Sequence, residues 1–174
     1  MTDVPRFDTA PGARPDAYDP VTQPEYFEGV LSRRVIAFLV DMAILTVAMT
    51  AIVLFIAIFG LVTLGVGWLL FFLIGPIFVV LAIVYFGSTL ASPASATLGM
   101  RAVDLEMRLW YGAPMYFLLG AVHVIVFWIS VSVFTPLILL LGLFNGRKRL
   151  LHDFICGTVV VNDEVRAARL RGVR

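Results

Sequence analysis

Two stretches of this sequence place charge where charge is costly, and any chemistry of the chain starts from them. The first is Arg33-Arg34-Val35-Ile36-Ala37-Phe38-Leu39-Val40-Asp41, at the head of a long apolar segment. Arg34 and Asp41 are seven residues apart, so a helix sets them on nearly one face, about 10 Å apart along its axis. Ala37, Ala48 and Ala51 fall on that same face. An acid within a membrane span costs about 2.5–3.5 kcal/mol on insertion scales, and such groups face a bundle interior or water. Asp41 therefore has two readings. It is a proton- or cation-binding site inside the membrane, or it is half of a structural ion pair with an arginine such as Arg34, Arg101 or Arg149. The second stretch runs from Lys148-Arg149-Leu150-Leu151-His152-Asp153 through Cys156-Gly157 to Thr158-Val159-Val160-Val161.

Other chemistries are excluded by missing partners. A His152-Asp153 dyad of the metal-dependent phosphohydrolase kind needs further His and Asp ligands. The other histidine of the chain, His123, lies deep in the third apolar block, where it reads as a hydrogen-bonded helix-contact residue. His152 and Cys156 are four residues apart on one face but lack a third metal ligand. No Ser-His-acid set, phosphate loop or cofactor box is present, so the sequence predicts neither an enzyme nor a resident cofactor or metal. A formal net charge of +1 argues against nucleic acid, whose partners carry a strongly basic field. The lone cysteine, Cys156, excludes an internal disulfide.

The elements that must position these residues are apolar. Apolar residues make up 60% of the 174 and charged residues 14%, against about 45–50% and about 25% in soluble domains. The prediction is an all-α membrane protein with three long hydrophobic segments. Val35 to Phe59 is the first span and Trp68 to Phe86 the second, with a kink at Gly75-Pro76 and with Trp68 and Tyr85 as interfacial rings. Met115 to Phe144 is the third. One straight helix of that length would reach about 45 Å, so the block is expected to be bent or re-entrant near Ser130 to Pro136. Around this transmembrane domain (24–162), residues 1–23 read as a disordered proline-rich tail and residues 163–174 as a charged, solvated tail. Pro24 to Ser32 reads either as a short helix on the membrane surface or as an irregular lead-in. Met100 to Leu109 and Thr158 to Val161 carry strand signals and could pair into a small two-stranded cytoplasmic sheet.

The two charged stretches resemble motifs of the RDD family of bacterial integral membrane proteins. That family takes its name from an arginine and two aspartates, which match Arg34, Asp41 and Asp153, with Ala37 completing the first motif. The last motif matches Lys148-Arg149, Leu151, His152-Asp153 and Gly157-Thr158-Val159-Val160. A middle motif matches Thr97-Leu98-Gly99-Met100-Arg101 loosely, with Met100 where family members often carry lysine. The resemblance covers about residues 30–162. It implies a bacterial inner-membrane, multi-pass protein whose biochemical role is mostly unassigned, with transport among the suggestions.

Two functions follow as expectations: a small transporter or ion-coupling protein, or a non-transporting scaffold, assembly factor or accessory subunit. The candidate polar cluster is Arg34, Asp41, Asp153, His152 and Arg149, at the cytoplasmic end of the bundle. The expected partners are the lipid bilayer and a second copy or another membrane protein. Contact would run through Ala37, Asp41, Ala48 and Ala51 or through Gly60 to Gly67. Basic residues mark the cytoplasmic side, so both termini are expected there.

Overall fold

In the computed structural model, which describes residues 18–134 and 142–173, the first apolar run forms one helix, α1, Val30–Val62. Its 33 residues reach about 50 Å, beyond the roughly 30 Å of hydrocarbon. Its charged residues, Arg33, Arg34 and Asp41, all fall in its first 12 residues, and none follows to Val62. Val47, Leu54, Phe55 and Ile58 are exposed along α1, as side chains facing lipid would be. The chain turns at Thr63 to Gly65 and continues as a 3-10 stretch, Val66–Leu73, then as α2, Ile74–Leu90. The change of helix type falls just before Gly75-Pro76.

Trp68 folds back over Gly60, where any Cβ would fall onto the indole. Its ring N–H donates to the Ala57 carbonyl at 3.2 Å. The Gly60 to Gly67 stretch is thus used to close the α1–α2 turn within the chain. Two helices, Pro24–Val62 and Val66–Leu90, are long and apolar enough to cross a membrane.

After α2 comes a compact cap. Helix α3, Leu98–Ala102, is capped by the Thr97 hydroxyl, which accepts from the Met100 N–H at 3.1 Å. Strand β1, Leu105–Leu109, follows. The strand signal from Met100 is therefore corrected: the Thr97 cap makes its first residues helical.

The third apolar block gives an 18-residue helix, α4, Phe117–Phe134. The rest of the expected third long segment, from 135 to 141, lies outside the described residues. Pro114 precedes the helix, and Met115 is drawn into the core instead, with its N–H bonded to the Ser95 hydroxyl. The helix runs on through Ser130, and the expected bend at Thr135 and Pro136 lies outside the described residues. Helix α2 packs mainly on α4, with Gly87 and Gly120 at their crossing; small residues let backbones approach closely in membranes. Helix α1 packs mainly on α3 and on the 3-10 stretch.

The last segment supplies α5, Leu151–Cys156, strand β2, Thr158–Asn162, and α6, Glu164–Val173. Strands β1 and β2 pair antiparallel, from Leu105 opposite Asn162 to Leu109 opposite Thr158, so the two strand signals meet as expected. Every residue of β2 is buried. Val160 joins a core with Val30, Ala37, Leu90, Met100 and Leu105, while Val159 and Val161 pack with Tyr26, Phe27 and Ala167. Burial on both faces explains an unbroken Val-Val-Val run without alternation.

The lead-in is ordered, and from Val30 it already belongs to α1. Pro24–Tyr26 is a 3-10 turn whose aromatic neighbours cover β2. The charged tail is likewise not simply solvated. Over Glu164–Val173 it is helical, docked by buried Ala167 and by Arg171 on Glu25 at 2.9 Å.

Candidate functional site

Two polar clusters lie at the cap end of the apolar helices, and between them they hold all the residues singled out by charge and spacing. In the first, Asp41 is 3% exposed. Its Oδ1 accepts from the Tyr85 hydroxyl at 2.6 Å and from the Gly99 N–H at 2.8 Å, and its Oδ2 accepts from the Thr97 hydroxyl at 2.6 Å. The carboxylate thus ties α1 to α2 and to the start of α3. Among the described residues no arginine pairs with it. Arg101 turns to the Ala96 carbonyl and the Ser92 hydroxyl. Arg34 and Arg149 turn to the second cluster. Tyr85, read as an interfacial ring, points inward because a buried acid needs donors. Gly99 must lack a side chain: a Cβ there would strike the Ala37 carbonyl oxygen and lie 2.8 Å from the Asp41 carboxylate.

In the second cluster Asp153 is fully buried. Its Oδ2 accepts from Arg34 Nη1 at 2.5 Å and from the Leu150 N–H at 2.9 Å. The second bond caps α5 from its third residue, the position where an acid reaches back to the helix start. Arg34 Nη1 also donates to the Lys148 carbonyl at 3.2 Å. Arg149 does not reach the Asp153 carboxylate. It donates to the Asp153 main-chain carbonyl at 2.9 Å and stacks over Phe154 at 4.4 Å. Burial opposes ionisation of Asp153, but the Arg34 charge and hydrogen bond, with smaller help from His152 and His123, outweigh it and hold the carboxyl well below the usual carboxylate range. Burial likewise pushes His152 down to about 3, so its imidazole is neutral.

The structure brings Arg34, His152 and Asp153 together and places Arg149 beside them. It sets Asp41 in a hydrogen-bond network of its own. Arg34, Asp41, His123 and His152 nevertheless all line one cavity of about 370 Å³, whose remaining wall is almost wholly apolar. His123, read from the sequence as a hydrogen-bonded helix-contact residue and not as a member of the cluster, faces Asp153 at 3.8 Å and His152 edge-to-face at 5.1 Å. Sequence reasoning missed Ser130 and Thr158 as members of the site; their hydroxyls sit 3.4 Å from the Nδ1 atoms of His152 and His123. No short-range pattern links these residues, because the packing of α5 on α4 brings them together across 22 to 35 positions of sequence. His123, His152 and Asp153 are the residues that could hold a metal ion, with ligand atoms all within 4.8 Å of one another.

The arginine-to-second-aspartate pairing sits at the heart of this site, and a family model built on such chains, the RDD family, matches residues 29–157. The chain belongs to the RDD family. No curated protein and no solved structure gives a significant match. In this RDD protein the family's arginine and second aspartate form one buried pair. Its first aspartate instead receives donors from α2 and from the loop leading into α3. The family assignment and the two long apolar helices fit a membrane protein.

Proposed function

We propose that this RDD protein is a membrane-anchored scaffold or accessory subunit, in which the intramembrane carboxylate fastens a cap to the helices. The observation that carries this reading is the state of Asp41: three donors, one from α2 and two from the start of α3, converge on its two oxygens. A carboxylate that carries ions in a transport cycle needs an open coordination site, and this one is spent on internal ties.

The test is Asp41→Asn. The amide keeps the shape but puts an N–H₂ where an acceptor stood, so at least one of the three donors loses its partner. The expected cost is about 1–3 kcal/mol, the penalty of a buried donor left unsatisfied, read as a fall in thermal stability in detergent. Native protein in proteoliposomes is expected to show no cation or proton flux above empty vesicles. A native flux that a stable Asp41→Asn protein lacks would overturn the reading.

The cavity beside the two clusters favours transport or ligand binding as a second reading. Its volume lies in the range of small-molecule sites, roughly 300–1,000 Å³. Three apolar helices do not enclose a watery path, however, so this reading requires a second copy or a partner. Ala51, exposed on α1, is where such a contact would form.

The proposed orientation puts the cap in the cytoplasm of a bacterial inner-membrane protein. Arg33, Arg34, Arg101 and Arg108, the 147–149 basic run and Arg166, Arg169 and Arg171 all belong to the cap segments or the helix ends joined to them. Met42 to Met100 carries no charged residue. Basic residues stay on the cytoplasmic side. Cys156, half-buried in α5, reports the side. In spheroplasts an impermeant maleimide is expected to leave it unlabelled until the membrane is permeabilised. Labelling without permeabilisation would place the cap outside.

A further inference from the structure

We propose that His123, His152 and Asp153 form a binding site for a divalent metal ion of the zinc class, reached from the cavity beside them. Asp153 Oδ1 lies 3.7 Å from His152 Nε2 and 3.8 Å from His123 Nε2. Those separations are too long for N–H···O hydrogen bonds, which fall at about 2.7–3.2 Å. They are a few tenths of an ångström beyond the roughly 3.3 Å between neighbouring ligands of a tetrahedral zinc with bonds of about 2.0–2.1 Å.

The orientation of the rings agrees. The Ser130 hydroxyl donates to the Phe127 carbonyl at 2.9 Å, so toward His152 Nδ1 it can only accept. A ring proton on His152 Nδ1 suits that acceptor, 3.4 Å away, and Nε2 then presents its lone pair to the cluster. Thr158 Oγ1, 3.4 Å from His123 Nδ1 and 3.5 Å from Asp153 Oδ1, orders the second ring in the same way when it donates to the carboxylate. Metal-binding histidines characteristically give their other ring N–H to such an acceptor.

Arg34 holds the opposite oxygen, Oδ2, and its Nη2 comes no closer than 3.5 Å to His152 Nε2. The carboxylate is thus shared: one oxygen faces the arginine and the other faces the two imidazoles. Two neutral nitrogens and one carboxylate oxygen suit zinc-class ions better than magnesium or calcium, which take oxygen ligands. Both histidines line the cavity, which gives the ion a route in and leaves a fourth position for water or an anion.

The full chain, purified in mild detergent and stripped with chelator, would be equilibrated with zinc alone, desalted, and assayed for metal by elemental analysis. About one zinc per chain is expected for native protein, and less than a tenth of that for His123→Gln and for His152→Gln. Cobalt in place of zinc should give tetrahedral visible absorption with native protein and not with either variant. Cys156→Ser should keep its zinc. Ser130→Ala removes a hydroxyl that touches no metal and should weaken affinity about 10–100-fold, as loss of an orienting partner does. No zinc on native protein, equal zinc on the histidine variants, or loss of zinc with Cys156→Ser overturns the site. If the histidine variants fail to run as folded protein on size exclusion, Ser130→Ala decides: an unchanged affinity overturns it.

Discussion

Arg34→Ala should lower stability by about 3–5 kcal/mol, the loss seen when one partner of a buried ion pair is removed, while the adjacent Arg33→Ala should cost about 1 kcal/mol or less. The two residues are neighbours in sequence and carry the same charge, so burial makes the difference. The Arg34 side chain is 11% exposed and its partner Asp153 is 0% exposed. Removing the guanidinium leaves a buried carboxylate in the cap with no counter-charge, held by the Leu150 N–H and, at 3.5 Å, by the Thr158 hydroxyl. Arg33 faces Asp104 at 3.7 Å, with the aspartate 44% exposed. Its remaining tie is a hydrogen bond to the Val103 carbonyl, and water can replace both. Thermal unfolding in detergent reads the difference directly. Equal shifts for the two variants would show that the Arg34–Asp153 pair carries no special weight. In the double variant Arg34→Ala/Asp153→Asn part of the loss should return, because the orphaned charge is gone.

Gly99→Ala should cost about 3 kcal/mol, although alanine is the better helix former by about 1 kcal/mol. The added methyl would meet the Ala37 carbonyl, which is backbone, and the Asp41 carboxylate, a side-chain end held by three hydrogen bonds. Helix α3 must then move off α1. Overpacking of this kind costs about 1–3 kcal/mol, and the move also stretches the Gly99 N–H and Thr97 hydroxyl bonds to Asp41. Gly75→Ala is the matched control: nothing lies within 4 Å of its added methyl, so helix propensity alone acts and stability should hold or rise. Thermal stabilities of the two variants should move in opposite directions. A Gly99→Ala protein as stable as Gly75→Ala would mean that α3 is not held against α1 as described.

The contrast between these sites shows what the sequence could disclose. Charge cost identified Arg34, Asp41 and Asp153 without any structure, since each is expensive unless partnered. It could not assign the partners. For Asp41 opposite charge points to a bound proton or cation or to an arginine, yet a carboxylate is satisfied as well by hydroxyls and an N–H. Tyr85, Thr97 and Gly99 supply these from positions 44, 56 and 58 residues away. The Thr97-x-Gly99 pattern was visible, but nothing local says that its open N–H faces a helix behind it. Helix α1 and the strand pair were legible because their periods and β-branched runs are local properties. The start of the third block was not, because Pro114 and the burial of Met115 set its first helical residue at Phe117 for reasons of packing. The place of His123 in the cluster stayed hidden for the same reason, since only the docking of α5 on α4 brings it to Asp153.

The cap joins segments that the ribosome makes far apart in time. The Asn162 side chain donates to the carbonyls of Glu25 and Glu28, and the Tyr26 hydroxyl donates to Glu164, links that span 137, 134 and 138 residues. Contacts of such long range form late, because the chain between them must first be made and closed into a loop. Helices α1 and α2 can enter the bilayer while Asp153 and β2 are still unsynthesised. During that interval Arg34 has no counter-charge and β1 has a bare edge, the kind of surface that invites wrong pairing. Closing the cap therefore registers that translation has passed residue 162. A chain halted earlier would display an unpaired arginine and an open strand to membrane quality control.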